Sequence, residues 1–465
     1  MTDLHWLSIA EVGARYRAGA LAPRTYAEHL IARVKRLDGK LSAFLKLDEA
    51  QILRDADRAS EELRAGLDRG PMHGIPVGIK DIIAVAGDVT TAHSRVHDPE
   101  PAREDAFVVT KLRQAGAIPF GKLALHEHAI GGPSFDLPAP PARNPWNLDV
   151  MPGGSSSGSG AALAAGLLPA AVGTDTGGSI RGPAGFCGVS GLKPTYGRVS
   201  RRGVLPLAWS LDHIGPMTRG LRDNALFLNA MAGRDAGDPT SLSDAPEDFA
   251  RDIGKPIAGL KIAYAKIWHT RDVLAEPGTA AGMDRTAEAF RRLGAVVTEI
   301  DPGPFAAYGS TNWTIIVAEA FSIHARDLST RPEAYGARAR DLISAGAFVS
   351  SADYLRCLRA RAVLKAKMDA ILAEHDALLC AGAGLPPCRI DDKEAVQKLL
   401  QASLRGAFNL TGHPALSVPA GFDASGLPLS FQLAAAARAE AKLYRIAAAY
   451  EAAHEWLART PENFA

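Results

Sequence analysis

Two Gly- and Ser-rich runs near the middle of the chain contain the residue types that acyl-transfer chemistry needs. MPGGSSSGSG covers residues 151–160, and GTDTGGSIRG covers residues 173–182. In the second run two glycines precede Ser179, and glycine permits backbone conformations that are closed to other residues. Neighbouring N–H groups can then point at one spot and stabilise an oxyanion beside a serine nucleophile. The pattern therefore indicates a nucleophile at Ser179.

The first run looks like a flexible linker, but the residues after it argue against that interpretation. AALAAGLLP (161–169) follows at once and predicts a buried helix, so the run lies at a helix N-terminus, where unpaired N–H groups gather. A phosphate-binding loop is also disfavoured. The chain has no Gly-Lys-Ser/Thr of the Walker A type, and Leu163 stands where a dinucleotide fingerprint needs its third glycine.

A serine nucleophile needs a base, and the chain offers two candidates. Lys80 ends an apolar strand, VGIKD, and burial would favour its neutral amine, the form that accepts a proton. His213, in SLDHIGP, is the second candidate. A surface turn formed by Lys80 and Asp81 is the interpretation without catalysis. The residues alone leave all three open.

The two runs and the residues around them resemble the amidase signature family. The resemblance rests on PGGSSSGSGAALAAG (152–166) and GTDTGGSIRGPAGFCGVSGLKPTYGRVSR (173–201). It extends upstream to HGIPVGIKDI and NPWN, extends downstream to SLDHIGPMTR and HPALSVPAG, and is weak over residues 235–400. It implies a large mixed sheet wrapped by helices, and cleavage or transfer at an amide carbonyl by a Ser–cis-Ser–Lys triad.

The resemblance also implies a role for individual residues. The nucleophile falls on Ser179, the base on Lys80, and the bridging serine, preceded by a peptide bond in the rare cis form, on Ser155. Further positions follow from the same match: oxyanion donors on the backbone of Thr176, Gly177, Gly178 and Ser179; support of the turn by Asp175, Arg181 and Ser156; and an acyl pocket lined by Ala129 and Gly131.

The implied reaction needs only these side chains. Ser179 attacks the carbonyl while Ser155 relays its proton to neutral Lys80, and water later repeats the sequence on the acyl-enzyme. The sequence HEHAIGGPSFDLP (126–138) contains a His-Glu-His that could suggest a metal, but no third ligand follows at a recognisable spacing. We therefore expect no metal and no cofactor.

Helix and strand signals alternate along the chain, which predicts an α/β fold with a large mixed, mostly parallel central sheet wrapped by helices. IPVGIKD predicts a strand that ends near Lys80, and AAVGTD (170–175) predicts another. We expect one domain over residues 1–465. Its parts are N-terminal helices (1–68), a signature core (70–232), a helical, substrate-side elaboration (240–400) and a return to the core (401–465).

Composition narrows the protein class. The formal net charge is +1 and no long Lys/Arg run occurs, so nothing indicates nucleic-acid binding. The chain has four cysteines and no CxxC pair, which argues against a disulfide framework. No stretch of 18 apolar residues predicts a membrane span. We expect a cytoplasmic protein.

These observations predict a serine hydrolase that cleaves the C–N bond of a carboxamide or anilide, with carbamates and esters left open. The expected partner is a small-molecule amide substrate, with no nucleic acid and no membrane, and a homodimer is left open. Two alternatives remain. One is the A subunit of a tRNA-dependent amidotransferase, which AWSLDHIGPMTR and HAIGGPSFDLPAP disfavour. The other is a catalytically dead scaffold.

Overall fold

Eleven strands in the described part of the chain form one sheet. The computed structural model describes residues 3–97 and 99–464. In chain order, β1 to β11 are Phe44–Lys46, Pro76–Lys80, Ile118–Leu123, Ala170–Asp175, Ser190–Lys193, His213–Thr218, Lys261–Tyr264, Val296–Glu299, Ala377–Ala381, Ala415–Phe422 and Pro428–Ala434. Across the sheet their order is β1-β3-β2-β4-β6-β5-β10-β11-β9-β7-β8.

Fourteen α-helices in the same residues surround and connect these strands. In chain order, α1 to α14 are Ile9–Arg17, Pro23–Leu41, Glu49–Arg64, Phe107–Gln114, Ser157–Ala164, Arg181–Cys187, Leu221–Met231, Pro277–Arg292, Phe305–Thr330, Ala337–Ser344, Ser351–Glu374, Lys393–Gln401, Gly406–Thr411 and Glu440–Ala452. Capping boxes begin α1 at Ser8 and α11 at Ser350. No helix within the described ranges has the length and apolarity that crossing a membrane requires.

The sheet is mixed, and its antiparallel pairs outnumber its parallel ones. Four neighbouring pairs are parallel, namely β2–β3, β2–β4, β7–β8 and β7–β9. The other six pairs among the described strands are antiparallel. The large mixed sheet wrapped by helices is therefore confirmed, whereas the expected parallel majority is not found. One cause is the short turn between β10 and β11, because only antiparallel strands can be joined so tightly.

Most elements predicted from local patterns lie where expected. β2 ends at Lys80, and α5 begins at Ser157, directly after the bridging-serine region. The prediction missed β1, a three-residue strand inside the N-terminal helical segment.

Two interior strands of the sheet, β2 and β4, position the functional residues. Every residue of β2 and of β4 is buried, as is usual for interior strands covered on both faces. The two strands are parallel neighbours, with Ile79 opposite Val172. Their carboxyl ends therefore meet at one edge of the sheet and bring Lys80 close to Asp175 and the turn that follows it.

Candidate active site

The Lys80 amine is buried and contacts two hydroxyl groups. Its Nζ lies 2.7 Å from Ser155 Oγ and 2.7 Å from Thr174 Oγ1. The peptide bond between Gly154 and Ser155 is cis, as the resemblance implied. Thr174 was not predicted as part of the site, although its place in GTDTGGS, directly before Asp175, was a usable signal.

Gly154, the residue before Ser155, packs closely against the ring of His126. A Cβ added to Gly154 would lie 2.0 Å from Cε1 of His126, so only glycine is accommodated there. The backbone N–H of His126 donates to the Ser155 carbonyl at 3.0 Å. Burial lowers the pKa of the His126 ring to about 3, so this ring is neutral beside Lys80. His126 therefore acts as packing that holds Ser155 in place.

Ser156 joins the first run to β4 and to the second run. Its hydroxyl donates to the Thr174 carbonyl at 3.2 Å and accepts from the Thr174 N–H at 3.3 Å. Its backbone N–H donates to the Ser179 carbonyl at 3.1 Å. These bonds fit the supporting role that was predicted for Ser156.

A buried ion pair holds the turn that carries Ser179. The Asp175 carboxylate lies 3.0 Å from Nη2 of Arg181, and both side chains are fully buried. It also accepts from the N–H groups of Gly178 at 2.7 Å and Ile180 at 3.1 Å. Asn409 donates to the same carboxylate at 2.8 Å. The charge of Arg181 and these donors hold the pKa of Asp175 well below its usual range, against the effect of burial.

This arrangement corrects one predicted oxyanion donor. The N–H of Gly178 points at Asp175 and is therefore not free for a substrate oxygen. The backbone N–H groups of Thr176, Gly177 and Ser179 are the remaining candidates from the predicted set. Gly178 has φ +123°, and a Cβ there would lie 2.6 Å from Cβ of Arg405, so this position requires glycine.

Ser179 is half-buried at the start of the turn into α6. Within the described residues the structure gives no hydrogen bond between the hydroxyl groups of Ser155 and Ser179. The backbone contact between Ser156 and Ser179 nevertheless keeps the two runs adjacent. Catalytic hydrogen bonds often tighten only after substrate binds. The structure thus brings Lys80 and Ser155 into direct contact and places Ser179 on the neighbouring turn.

A cavity of about 330 Å³ lies next to this centre. Thr174 and Thr176 line it, which connects the cavity to the partner of Lys80 and to the oxyanion turn. Ala129 also lines it, and its place in an acyl pocket stays a prediction. Gly131 instead faces α10, where a Cβ would lie 2.8 Å from Cδ1 of Leu342. The predicted role of Gly131 in this pocket therefore lacks structural support.

The other predicted candidates have different surroundings. His213 Nδ1 lies 2.6 Å from the Leu211 carbonyl oxygen, and burial lowers the pKa of this ring well below its usual value. Glu127 accepts from the N–H of Gly336, the N-cap of α10. Among residues 3–97 and 99–464, no group of three or more His, Cys, Asp or Glu side chains could hold a metal ion.

Burial lowers the pKa of Lys80 to about 7, while the charges of Asp175 and Asp212 act in the opposite direction. The amine is therefore mostly neutral above that pH. We expect kcat/KM for amide cleavage to rise through about pH 7 and to level off about one to two units higher. A pH series with a fixed amide substrate measures this. Lys80→Arg should be inactive throughout, because a guanidinium keeps its proton. A midpoint that disappears in His213→Ala would assign the base to His213 instead.

A comparison with known protein families decides the family. The model of the family described as Amidase matches residues 26–444. The chain belongs to the amidase family. This match confirms the resemblance to the amidase signature family.

Known members of the amidase family resemble this chain over almost its whole length. The A subunit of glutamyl-tRNA(Gln) amidotransferase from Chromohalobacter salexigens is 36% identical, over 98% of this chain and 99% of that protein. The peptide amidase of Stenotrophomonas maltophilia superposes with a TM-score of 0.85 and 30% identity, over 96% of each chain. A chain from an inhibitor-bound "vestigial protein complex", linked to the origins of an s-triazine catabolic enzyme, gives a TM-score of 0.90 with 30% identity, over 96% of this chain and 98% of that chain.

These relatives overturn the predicted partners. The sequence predicted a small-molecule amide substrate without nucleic acid or membrane, with a homodimer left open. Proteins 36% identical over 97–98% of this chain are named as the A subunit of glutamyl-tRNA(Gln) amidotransferase. Such names point to protein partners and tRNA, so the expectation was wrong. The near-neutral net charge misled the prediction, because net charge carries no information about contacts that partner proteins make.

Proposed function

We propose that the chain is the glutamine-cleaving A subunit of a tRNA-dependent amidotransferase, and that it works in the cytoplasm. The observation that carries the proposal is the buried Lys80 amine at 2.7 Å from Ser155, in a chain 36% identical to such subunits. A neutral amine in contact with a serine beside a second serine is suited to activating a nucleophile. In this role the chain releases ammonia from a carboxamide and passes it to a partner.

The proposed chemistry has two halves that use the same groups. Ser179 Oγ forms a bond to the carboxamide carbon, its proton passes to Ser155, and the Ser155 proton passes to Lys80 Nζ. The N–H groups of Thr176, Gly177 and Ser179 stabilise the oxyanion. The proton returns from Lys80 through Ser155 to the nitrogen, the C–N bond breaks, and ammonia leaves an acyl-Ser179. Water then attacks the acyl group by the same relay and releases the carboxylic acid.

A second candidate is a hydrolase of peptide or other carboxamides. It is supported by the peptide amidase of Stenotrophomonas maltophilia, which superposes with a TM-score of 0.85. The same three side chains serve both candidates, so the catalytic centre does not separate them. The difference lies in which carboxamide enters the site.

Ammonia release separates the two candidates. The purified chain is assayed with glutamine and with C-terminally amidated peptides, alone and together with the remaining subunits of a glutamyl-tRNA(Gln) amidotransferase and its charged tRNA. We expect glutamine cleavage that increases at least about tenfold in the assembled complex, a coupling of ordinary size between sites. Ser179→Ala is the control for contaminating glutaminase. Turnover of peptide amides without glutamine cleavage in the complex would favour the second candidate.

A further inference from the structure

A second buried lysine lies beside the catalytic strand. Lys122, on β3, has its Nζ 2.8 Å from Oδ1 of Asp81, and both side chains are almost completely buried. The Lys122 amine also donates to the Ile83 carbonyl at 2.8 Å and to Thr90 Oγ1 at 3.2 Å. Asp81 follows Lys80 directly in the chain. The surface turn considered for Lys80 and Asp81 is therefore wrong, because Asp81 is buried and paired with a different lysine.

The strand register separates the two lysines. Lys80 lies opposite Leu123, whereas Lys122 lies opposite Ile79. Since successive side chains of a strand point to opposite faces, Lys80 and Lys122 lie on opposite faces of the sheet. Asp81 turns toward the face of Lys122, where Thr91 N–H also donates to its Oδ2 at 3.1 Å. The carboxylate next to Lys80 is thus directed away from it.

The base role of Lys80, which rests on the proposed function, needs an amine that can lose its proton. Any unpaired carboxylate nearby would stabilise the ammonium form. Asp175 and Asp212 face Lys80 and already act in this direction, against the effect of burial on its pKa. Asp175 is paired with Arg181, Asp212 accepts from Thr176 Oγ1 at 2.6 Å, and the His126 ring is neutral. Asp81, directly after Lys80 in the chain, is a further buried carboxylate, and its cation is Lys122.

We propose that Lys122 is a positioning residue for amide cleavage: by pairing with Asp81 it withholds that negative charge from Lys80 and keeps the Lys80 amine able to accept the proton of Ser155. Lys122 does this through Asp81 and touches none of the reacting groups.

Two single substitutions should move the pH profile in opposite directions. In Lys122→Met the Asp81 charge has no cation, so we expect the midpoint of the profile to rise by about one pH unit. In Asp81→Asn the Lys122 charge is left alone, and the midpoint should fall. Lys122→Met combined with Asp81→Asn removes both charges and should return the midpoint close to that of the unmodified protein.

The rate of labelling by a fluorophosphonate, measured over about pH 5 to 10, supplies these profiles without requiring the true substrate or partner subunits. A merely structural role for Lys122 would lower the amount of folded protein and leave the midpoint unchanged. Unshifted midpoints, or shifts of the same sign in both single variants, would overturn the role of Lys122 alone. If Lys122→Met does not fold, the role of Lys122 is tested by two results. These are a lower midpoint of the pH profile in Asp81→Asn and the return of that midpoint in the double variant. No labelling of the unmodified protein would overturn the proposed function as well.

Discussion

Replacing Ser179 with alanine should abolish covalent labelling by a fluorophosphonate, whereas replacing Ser155 should only slow it, by about 10²–10⁴-fold. Ser179 lies on the turn whose N–H groups can hold an oxyanion, so a group attached there is stabilised. Ser155 contacts Lys80 at 2.7 Å and is suited to relay a proton. Labelling time courses with mass spectrometry of the modified peptide measure both effects.

The neighbouring Ser157 provides a matched control. Its hydroxyl lies 3.4 Å from the Ala124 carbonyl, whereas the hydroxyl of Ser155 contacts Lys80. Ser157→Ala should therefore label at nearly the normal rate. A label on the peptide of residues 151–160, or normal labelling of Ser179→Ala, would mean that the two serines have exchanged roles. Normal folding without any labelling would favour a catalytically dead protein.

Arg181→Met should destabilise the fold by about 3–5 kcal/mol, because it leaves the buried Asp175 carboxylate without its cation. The guanidinium also donates to the Arg405 carbonyl at 2.9 Å, to Gln432 Oε1 at 2.7 Å and to Asn409 Oδ1 at 2.7 Å. Methionine fills a similar volume and makes none of these bonds. Urea unfolding followed by circular dichroism measures the loss, and labelling of Ser179 should disappear with it.

An exposed ion pair offers the comparison. Arg389 lies 2.8 Å from Asp391, and both side chains are more than half exposed. Solvent screens such a pair, so Arg389→Met should leave the urea midpoint unchanged. Equal effects of the two arginine substitutions would show that Arg181 contributes no more than a surface charge.

Local patterns predicted the elements and the chemistry at the centre of the molecule. The strand ending at Lys80 and the helix after the Ser/Gly run follow from short-range apolar periodicity, which is visible in one sequence. The long motif shared with the amidase signature family identified Ser155, Ser179 and Lys80 as candidates. Their mutual contact, with Ser155 at 2.7 Å from Lys80, depends on two strands being neighbours, and only the resemblance could suggest it.

Long-range pairing was beyond these patterns. The antiparallel majority of the sheet depends on which strands meet, and nothing within a strand records its neighbour. The hydrogen bond from the Gly178 N–H to Asp175 was missed. A carboxylate accepts several hydrogen bonds, and the sequence does not show which N–H groups donate them. Lys122 was missed for a related reason: GKL gives no sign that its lysine pairs with Asp81, the residue that follows the adjacent strand.

The hydrogen bonds of Arg181 also affect the order of events during synthesis. Two of its acceptors, on Asn409 and Gln432, lie 228 and 251 positions later in the chain. A ribosome therefore produces both serines and Lys80 long before it produces the groups that complete the turn around Ser179. Until residue 432 has left the exit tunnel, the guanidinium cannot make these bonds. The growing chain carries every reactive group early, but it acquires a fixed nucleophile turn only near the end of translation.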